Sequence, residues 1–211
     1  MQSRDDVTSD RPVSREYRVV MGLIDYGASV LDLGCGDGEL LSLLAEHRRA
    51  RGRGIDISQQ AIQQCVMRGL SVSQEDIESG LSEYGDQAFD YVVLNQSLQQ
   101  VVHLERVLEE TLRVGRRVIV GFPNFVYYRA RLQILLGGRT PVTPSLPHMW
   151  YDTPNLHFLS IRDFFVYCHE RGHVVERAVF LSGGRTVHVL PNLLAQTAIV
   201  RLSSGSGGPG S

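Results

Sequence analysis

The sequence predicts an α/β fold: a mostly parallel, doubly wound sheet of seven strands, with helices on both faces and an insertion after the fifth strand. Three observations carry that expectation. Residues 30–46 pass from the apolar run Val30-Leu31-Asp32-Leu33 through glycines at 34, 36 and 38 into Glu39-Leu40-Leu41-Ser42-Leu43-Leu44-Ala45-Glu46, the composition of a strand, a tight turn and a helix. Further short β-type runs alternate with segments of helical spacing, the order of βαβ units. Five of the eight prolines fall within residues 123–159 and interrupt that order.

The 211 residues, 43% of them apolar, suit one domain with a full core, expected over residues 15–202 between a polar leader (1–14) and a tail (203–211) of linker composition. A net charge of −2 gives no electrostatic footprint for nucleic acid. The first residues lack an apolar signal region, and no stretch approaches the roughly 18 apolar residues that span a bilayer. A cytoplasmic location away from any membrane is therefore expected. Every basic residue is arginine. The absence of lysine excludes P-loop and Schiff-base pyridoxal chemistry. Cys35, Cys65 and Cys168 are odd in number and far apart, so they show neither a disulfide framework nor metal-ligand spacing, and buried reduced thiols are expected. No metal site is expected.

In chain order, Tyr17, Val20, Met21 and Ile24 give a short helix over residues 16–26. The first strand and glycine turn follow. Residues 47–53 form an arginine-rich patch without interleaved aromatics, expected as a solvated loop. Gly54-Ile55-Asp56-Ile57 reads as a second strand ending in an acid. Ser58 is a good N-cap for a helix that carries Ile62, Cys65 and Val66 inward and ends at Gly69. Residues 70–72 give a short third strand, and 89–94 a fourth of the buried kind. Asn95 and Gln96 follow it, at the carboxyl edge where open α/β sheets place their ligands. A helix over 103–113 and a strand over 116–122 come next.

Residues 123–159 then form an insertion over that edge, helical only near 127–136. Long ordered insertions of this kind usually carry substrate or partners, and the alternative is a packed cover in which Trp150 and Tyr151 simply bury area. Ser160 and Asp163 open a further helix with a capping-box-like pair, and it stops at Gly172. Residues 173–181 and 193–202 read as two terminal strands joined by a Gly183-Gly184 loop and Pro191-Asn192.

The charge of the glycine turn selects its ligand. The spacing departs from the dinucleotide fingerprint G-x-G-x-x-G, because the third glycine comes one residue early. Asp32, Asp37 and Glu39 lie in or beside the turn and would repel a pyrophosphate. A cationic nucleoside fits better, and S-adenosylmethionine carries a sulfonium and an ammonium. Asp56 lies 22 positions beyond Gly34, a distance that brings the end of strand two beside the turn, where a carboxylate can accept both ribose hydroxyl hydrogens.

The segment resembles motif I of the Rossmann-like class I S-adenosylmethionine-dependent methyltransferases, whose sheet has seven strands ending in a hairpin. That resemblance implies a cofactor set of Asp32, Gly34, Cys35, Gly36, Gly38, Asp56, Ile57, Asp76, Ile77, Asn95 and Gln96, holding S-adenosylmethionine or S-adenosylhomocysteine. Asp76 would accept from the adenine amine, and the alternative for it is a turn or cap acid. The Pro-Pro-aromatic box of amino-methyltransferases is missing after Asn95, which counts against methylation of base or amide nitrogen.

Several segments together resemble one family, the methionine-biosynthesis MetW proteins. They are VLDLGCGDGELL (30–41), FDYVVLNQSLQQ (89–100), LRVGRR (112–117), GFPNF (121–125) and WYDTPNLH (150–157). The resemblance covers residues 18–202. It implies association with homoserine O-acyltransferase. The leader is longer than the family's, and Asp56 stands where many members have glutamate. A catalytic base, if methyl transfer occurs, would be His157 or Tyr151. No Ser-His-Asp set in a nucleophile-elbow context points to acyl transfer by this chain alone. Two functions stay open: an S-adenosylmethionine-binding subunit that regulates or stabilises the acyltransferase, and a small-molecule methyltransferase of unidentified acceptor.

Overall fold

The computed structural model describes residues 13–204. Helix α1 (Arg15–Leu23) leads into β1 (Ser29–Leu33), α2 (Glu39–Arg48), β2 (Arg51–Asp56), α3 (Gln59–Met67) and β3 (Val72–Gln74). Then come α4 (Ile77–Gly80), β4 (Phe89–Asn95), α5 (Leu104–Val114), β5 (Gly115–Pro123) and α6 (Tyr128–Gly137). The chain closes with α7 (Ile161–Glu170), β6 (His173–Ser182), β7 (Arg185–Thr186), α8 (Pro191–Leu194) and β8 (Thr197–Ser204). One sheet takes the order β3-β2-β1-β4-β5-β8-β6-β7. The pairings from β3 to β5 are parallel, and β8 inserts antiparallel between β5 and β6.

The period of two along β4 explains why its centre, residues 91–94, is a continuous apolar run. Val92 and Leu94 face one core with Leu108 and Leu112 of α5 and Phe164 of α7. Tyr91 and Val93 face the other, with Val20 of α1 and Leu40 and Leu44 of α2. Both faces are covered over residues 91–94, so those four positions are apolar, while Asp90 at the half-buried start of the strand accepts from Ser29 N and Oγ. Side-chain caps fix the helix starts. Ser14 accepts from Tyr17 N at 3.1 Å, Ser58 from Ala61 N at 3.3 Å, and Ser160 forms a full capping box with Asp163.

The sheet has eight strands rather than seven. Gly183 and Gly184 adopt φ of +53° and +73°, so they make a two-residue hairpin turn instead of an open loop, and Arg185–Thr186 pairs back on β6. The arginine patch is also not all loop. Ala50 is buried, and β2 begins at Arg51 in register with Ser29, with Arg51 and Arg53 on its exposed side and the Arg53 guanidinium 5.3 Å from the Tyr84 ring. The third strand starts at Val72, later than expected, because Leu70 N bonds back to Cys65 O at 3.0 Å to close α3 past Gly69. The last strand begins at Thr197, since residues 191–194 form a helical turn. It continues through Ser203 and Ser204, which pair with Val174 and His173. The remainder of the expected leader (1–12) and tail (205–211) lies outside the described residues. Among the described residues no helix is long and apolar enough to cross a membrane.

Candidate functional site

The glycine turn sits at the carboxyl ends of β1 and β2. Gly34 N and Cys35 N both donate to Ile55 O, at 2.8 and 3.1 Å, so the turn is stapled to the neighbouring strand. All three glycines have positive φ. They differ in what surrounds them. A Cβ on Gly38 would come 2.3 Å from Leu70 Cδ1 and 2.8 Å from Cys65 Sγ, and one on Gly34 would come 3.0 Å from Ser97 Cβ. A Cβ on Gly36 would meet nothing within 4 Å. Gly34 and Gly38 therefore permit close packing, whereas Gly36 leaves open room beside the turn. Cys35 lies in the turn, but its side chain packs with Leu41 and Cys65, and burial, followed by the nearby Asp32, pushes its thiol well up. All three cysteines are buried and free.

Carboxylates line the turn. Asp32 is 3% exposed, and burial together with the charge of Asp56 raises its pKa from 3.8 to about 7. Asp56 accepts from Gly36 N and from Ser58 N, each at 2.8 Å, so it anchors the turn as well as facing it. Each of its oxygens keeps a further lone pair. Asp37 accepts from Glu39 N at 3.2 Å and pairs with Arg68 at 2.9 Å.

Two residues at this site escaped the sequence reading. Tyr17 reaches from α1 into the acidic field, and its hydroxyl is pushed up to about 12 by burial, then by Glu39, Asp32, Asp37 and Glu16. Glu16 accepts from Gln96 Nε2 at 3.3 Å, which ties α1 to the chain just after β4. In sequence Tyr17 is simply an apolar position of an amphipathic helix, and only the packing of α1 on α2 exposes its second role.

The loop after β4 completes the arrangement. Ser97 Oγ donates to Leu33 O at 2.9 Å, and Gln96, held at φ +62°, donates its N–H to Gly121 O at 2.8 Å. Asn95 Oδ1 is buried and has no hydrogen-bond partner among the described residues; it lies against Gly121, where a Cβ would come 2.1 Å from it. Ile77 lies 3.8 Å from the Cβ position of Gly34, and Ile57 is exposed next to Asp56. Asp76 caps α4, accepting from Glu78 N at 2.9 Å, which is the cap role weighed against adenine binding.

The candidate bases are placed differently. His157 Nε2 is 2.9 Å from Val101 O, and His157 N donates to Gln99 O at 3.1 Å, so the residue fastens the insertion to the loop after β4. Tyr151 is 69% exposed and stacks edge-on against Trp150. Among the described residues no hydrogen bond joins it to the turn. Gln99 donates through Nε2 to Gln96 O at 2.9 Å, and its backbone oxygen accepts from Leu156 N at 2.8 Å and His157 N at 3.1 Å, so this one buried residue connects the loop after β4 to the insertion.

The arrangement suits a cationic nucleoside. Its ribose would meet Asp56, its apolar base would lie against Ile57 and Ile77, and its cationic end would face Asp32, Glu39 and Glu16. An anion would meet the same carboxylates as repulsion. Among the described residues no group of three or more His, Cys, Asp or Glu converges as a metal site.

The family described as "Methionine biosynthesis protein MetW" matches residues 14–202. The "Bifunctional methionine biosynthesis protein MetXA/MetW" of Rhodopirellula baltica is 34% identical over 92% of this chain and 33% of its own length. An uncharacterized 37.1 kDa protein in transposon TN4556 of Streptomyces fradiae is 32% identical over 57% of this chain and 38% of its own. The chain thus spans about a third of the first relative's length and 38% of the second's. Among solved structures, a SAM-dependent methyltransferase from Archaeoglobus fulgidus superposes with a TM-score of 0.68 at 16% identity, covering 90% of this chain and 94% of that one. The [4+2]-cyclase SpnF superposes at 0.66 with 19% identity, covering 92% and 82%. These likenesses establish the fold, and the second carries a different reaction in its name, so the fold alone does not decide chemistry. With a family match over nearly the whole described chain and the class I methyltransferase architecture beneath it, this protein belongs to the MetW family of methionine biosynthesis proteins.

Proposed function

We propose that the protein binds S-adenosylmethionine at the glycine turn and acts as a regulatory partner of homoserine O-acyltransferase. The observation that carries the ligand is the set of carboxylates on Glu16, Asp32, Asp37, Glu39 and Asp56 around an open Gly36, which suits a sulfonium and an ammonium. When bound, the cofactor offers an activated methyl group, or serves as the signal of an end product. Asp56 holds the ribose, Asp32 and Glu16 hold the cationic end, and Tyr17 covers it from α1.

The regulatory reading is supported by where the candidate bases lie. His157 engages Val101 O through Nε2, which leaves Nδ1 as its one free ring nitrogen, and Tyr151 faces outward, so neither is held toward the glycine turn. Gln99 supplies a physical link instead, from Gln96 at the site to Leu156 and His157 of the insertion. The acyltransferase partner is supported by the relative whose name joins MetXA and MetW in one bifunctional protein. A link of this kind gives a ligand at one end a way to bias the surface at the other.

The test is the rate of homoserine acyl transfer by the acyltransferase of the same genome, measured alone, with this protein, and with this protein plus S-adenosylmethionine. A rate or lifetime that changes with the protein and changes again with the ligand supports the reading. An unchanged acyltransferase, together with steady release of S-adenosylhomocysteine when metabolite acceptors are supplied, would replace it by a small-molecule methyltransferase.

A further inference from the structure

The insertion carries a built groove that the glycine-turn site does not use. Within α6 only Ala130 is buried, whereas Leu135 and Leu136 are 79% and 80% exposed, and Leu132 and Ile134 are also open to solvent. A helix of this composition normally lies against a core. Here it forms one wall of a groove of about 850 Å³ whose other wall holds Arg139, Val142, Met149 and Trp150. Trp150 is 73% exposed, a large apolar ring left uncovered. The walls are held in place by the Gln133 amide, which donates to Val142 O at 2.9 Å and accepts from Val142 N at 2.8 Å. The groove is therefore preformed. A neighbouring apolar pocket of about 250 Å³, lined by Phe125, Leu146 and Phe158, continues from it past Met149 and Trp150.

Charge distinguishes this face from the rest of the molecule. The insertion, residues 123–159, contains Arg129, Arg131 and Arg139 against the one acid Asp152, in a chain whose net charge is −2. Among the described residues none of those three arginines pairs with a carboxylate. Arg131 instead donates to the backbone oxygens of Val126 and Asn192. Of the three, Arg139 lines the groove; an apolar centre with an aromatic anchor and an arginine at its edge is the composition of a protein-binding patch, and its complement is an apolar segment flanked by a carboxylate.

We propose that this groove is the surface on which the acyltransferase docks, receiving an apolar, carboxylate-flanked segment of it between α6 and residues 139–150. The proposal rests on the partnership inferred above and assigns it a place. His157 and Leu156, at the far end of the same insertion, bond to Gln99, so a partner seated on α6 lies on the element that is fastened to the loop of the glycine-turn site.

The experiment is sedimentation velocity of the protein mixed with the homoserine O-acyltransferase of the same genome, comparing wild type with Leu136→Asp, Arg139→Glu and Val189→Asp. Val189 is an exposed apolar residue outside the insertion and serves as the control. The proposal expects a complex with wild type and Val189→Asp, and affinity lowered more than tenfold by Leu136→Asp and by Arg139→Glu. Melting curves and S-adenosylmethionine titration should be unchanged in all of them, since these side chains are exposed and away from the turn. A complex that forms equally well with both groove variants overturns the surface and leaves the partnership standing. No complex with wild type overturns both. Concentration-dependent dimers of the protein alone that the groove variants abolish would assign the face to a second copy of this chain, and that too overturns the proposal.

Discussion

Asp56 Oδ2 accepts the backbone N–H of Gly36 at 2.8 Å, so the acid that would receive a ribose also holds the turn beneath it in shape. Ligand affinity and local stability are joined at this one side chain. Asp56→Ala removes the acceptor of Gly36 N and of Ser58 N and should cost about 1–2 kcal/mol of stability, read from urea melts. S-adenosylmethionine affinity should fall more than tenfold, about 1.4 kcal/mol or more, by titration calorimetry. An affinity loss without any change in the melt would mean that the turn does not depend on this bond.

Asp32 should couple ligand binding and stability to pH. Its folded pKa, about 7, lies above the ordinary 3.8, so between those values the native state keeps a proton that the unfolded chain has lost. The contribution to stability is fully present below about pH 4 and is lost as pH rises through 7. Asp32→Asn should therefore melt higher than wild type at pH 8, with the difference shrinking as pH falls below 7. The same variant should bind S-adenosylmethionine more weakly, and its affinity should lose the rise that wild type shows between pH 6 and 7.5, a window set by that pKa. A wild-type melt parallel to that of Asp32→Asn across this range would contradict the assignment.

Gly36 and Gly38 should separate binding from packing. Gly38→Ala drives a methyl group against Leu70 and Cys65 in a left-handed backbone and should destabilise the fold by about 1–3 kcal/mol. Gly36→Ala meets no neighbour, so it should cost only the backbone preference, about 1–2 kcal/mol. It should nevertheless abolish S-adenosylmethionine binding by filling the space beside the turn. Thermal melts and calorimetry on the pair check both statements.

His157→Ala should behave as a structural change. It removes the contact with Val101 O and should lower stability by about 1 kcal/mol in urea melts while leaving the S-adenosylmethionine affinity within twofold. If a methyl acceptor is found and His157→Ala abolishes turnover at unchanged stability, the residue is a base after all.

The strand, turn and helix at residues 29–48 were legible because glycine spacing and apolar periodicity are local signals, and the caps at Ser58 and Ser160 are local as well. The end of the sheet was less so: β7 has only two residues and is defined by its partner β6, which leaves no periodicity to read. Arg51 and Arg53 looked like a solvated loop because a strand near the sheet edge tolerates arginine on one side. Within the site, Asp32 and Asp56 could be placed by spacing from the glycines. Glu16 and Tyr17 could not, since they reach the turn only after α1 packs across α2, a contact no short stretch encodes. Asp76, which the methyltransferase resemblance implies as the acceptor for an adenine amine, caps α4 through Oδ1 alone, so its second oxygen is not used by the cap.

Titration calorimetry of the purified protein with S-adenosylmethionine, with ATP and NAD as anionic adenosine ligands for comparison, tests the charge argument most directly. The account predicts micromolar binding of S-adenosylmethionine and no measurable heat from ATP or NAD. Binding of either anion with no response to S-adenosylmethionine would contradict the reading of the carboxylate-lined turn as a site for a cationic nucleoside.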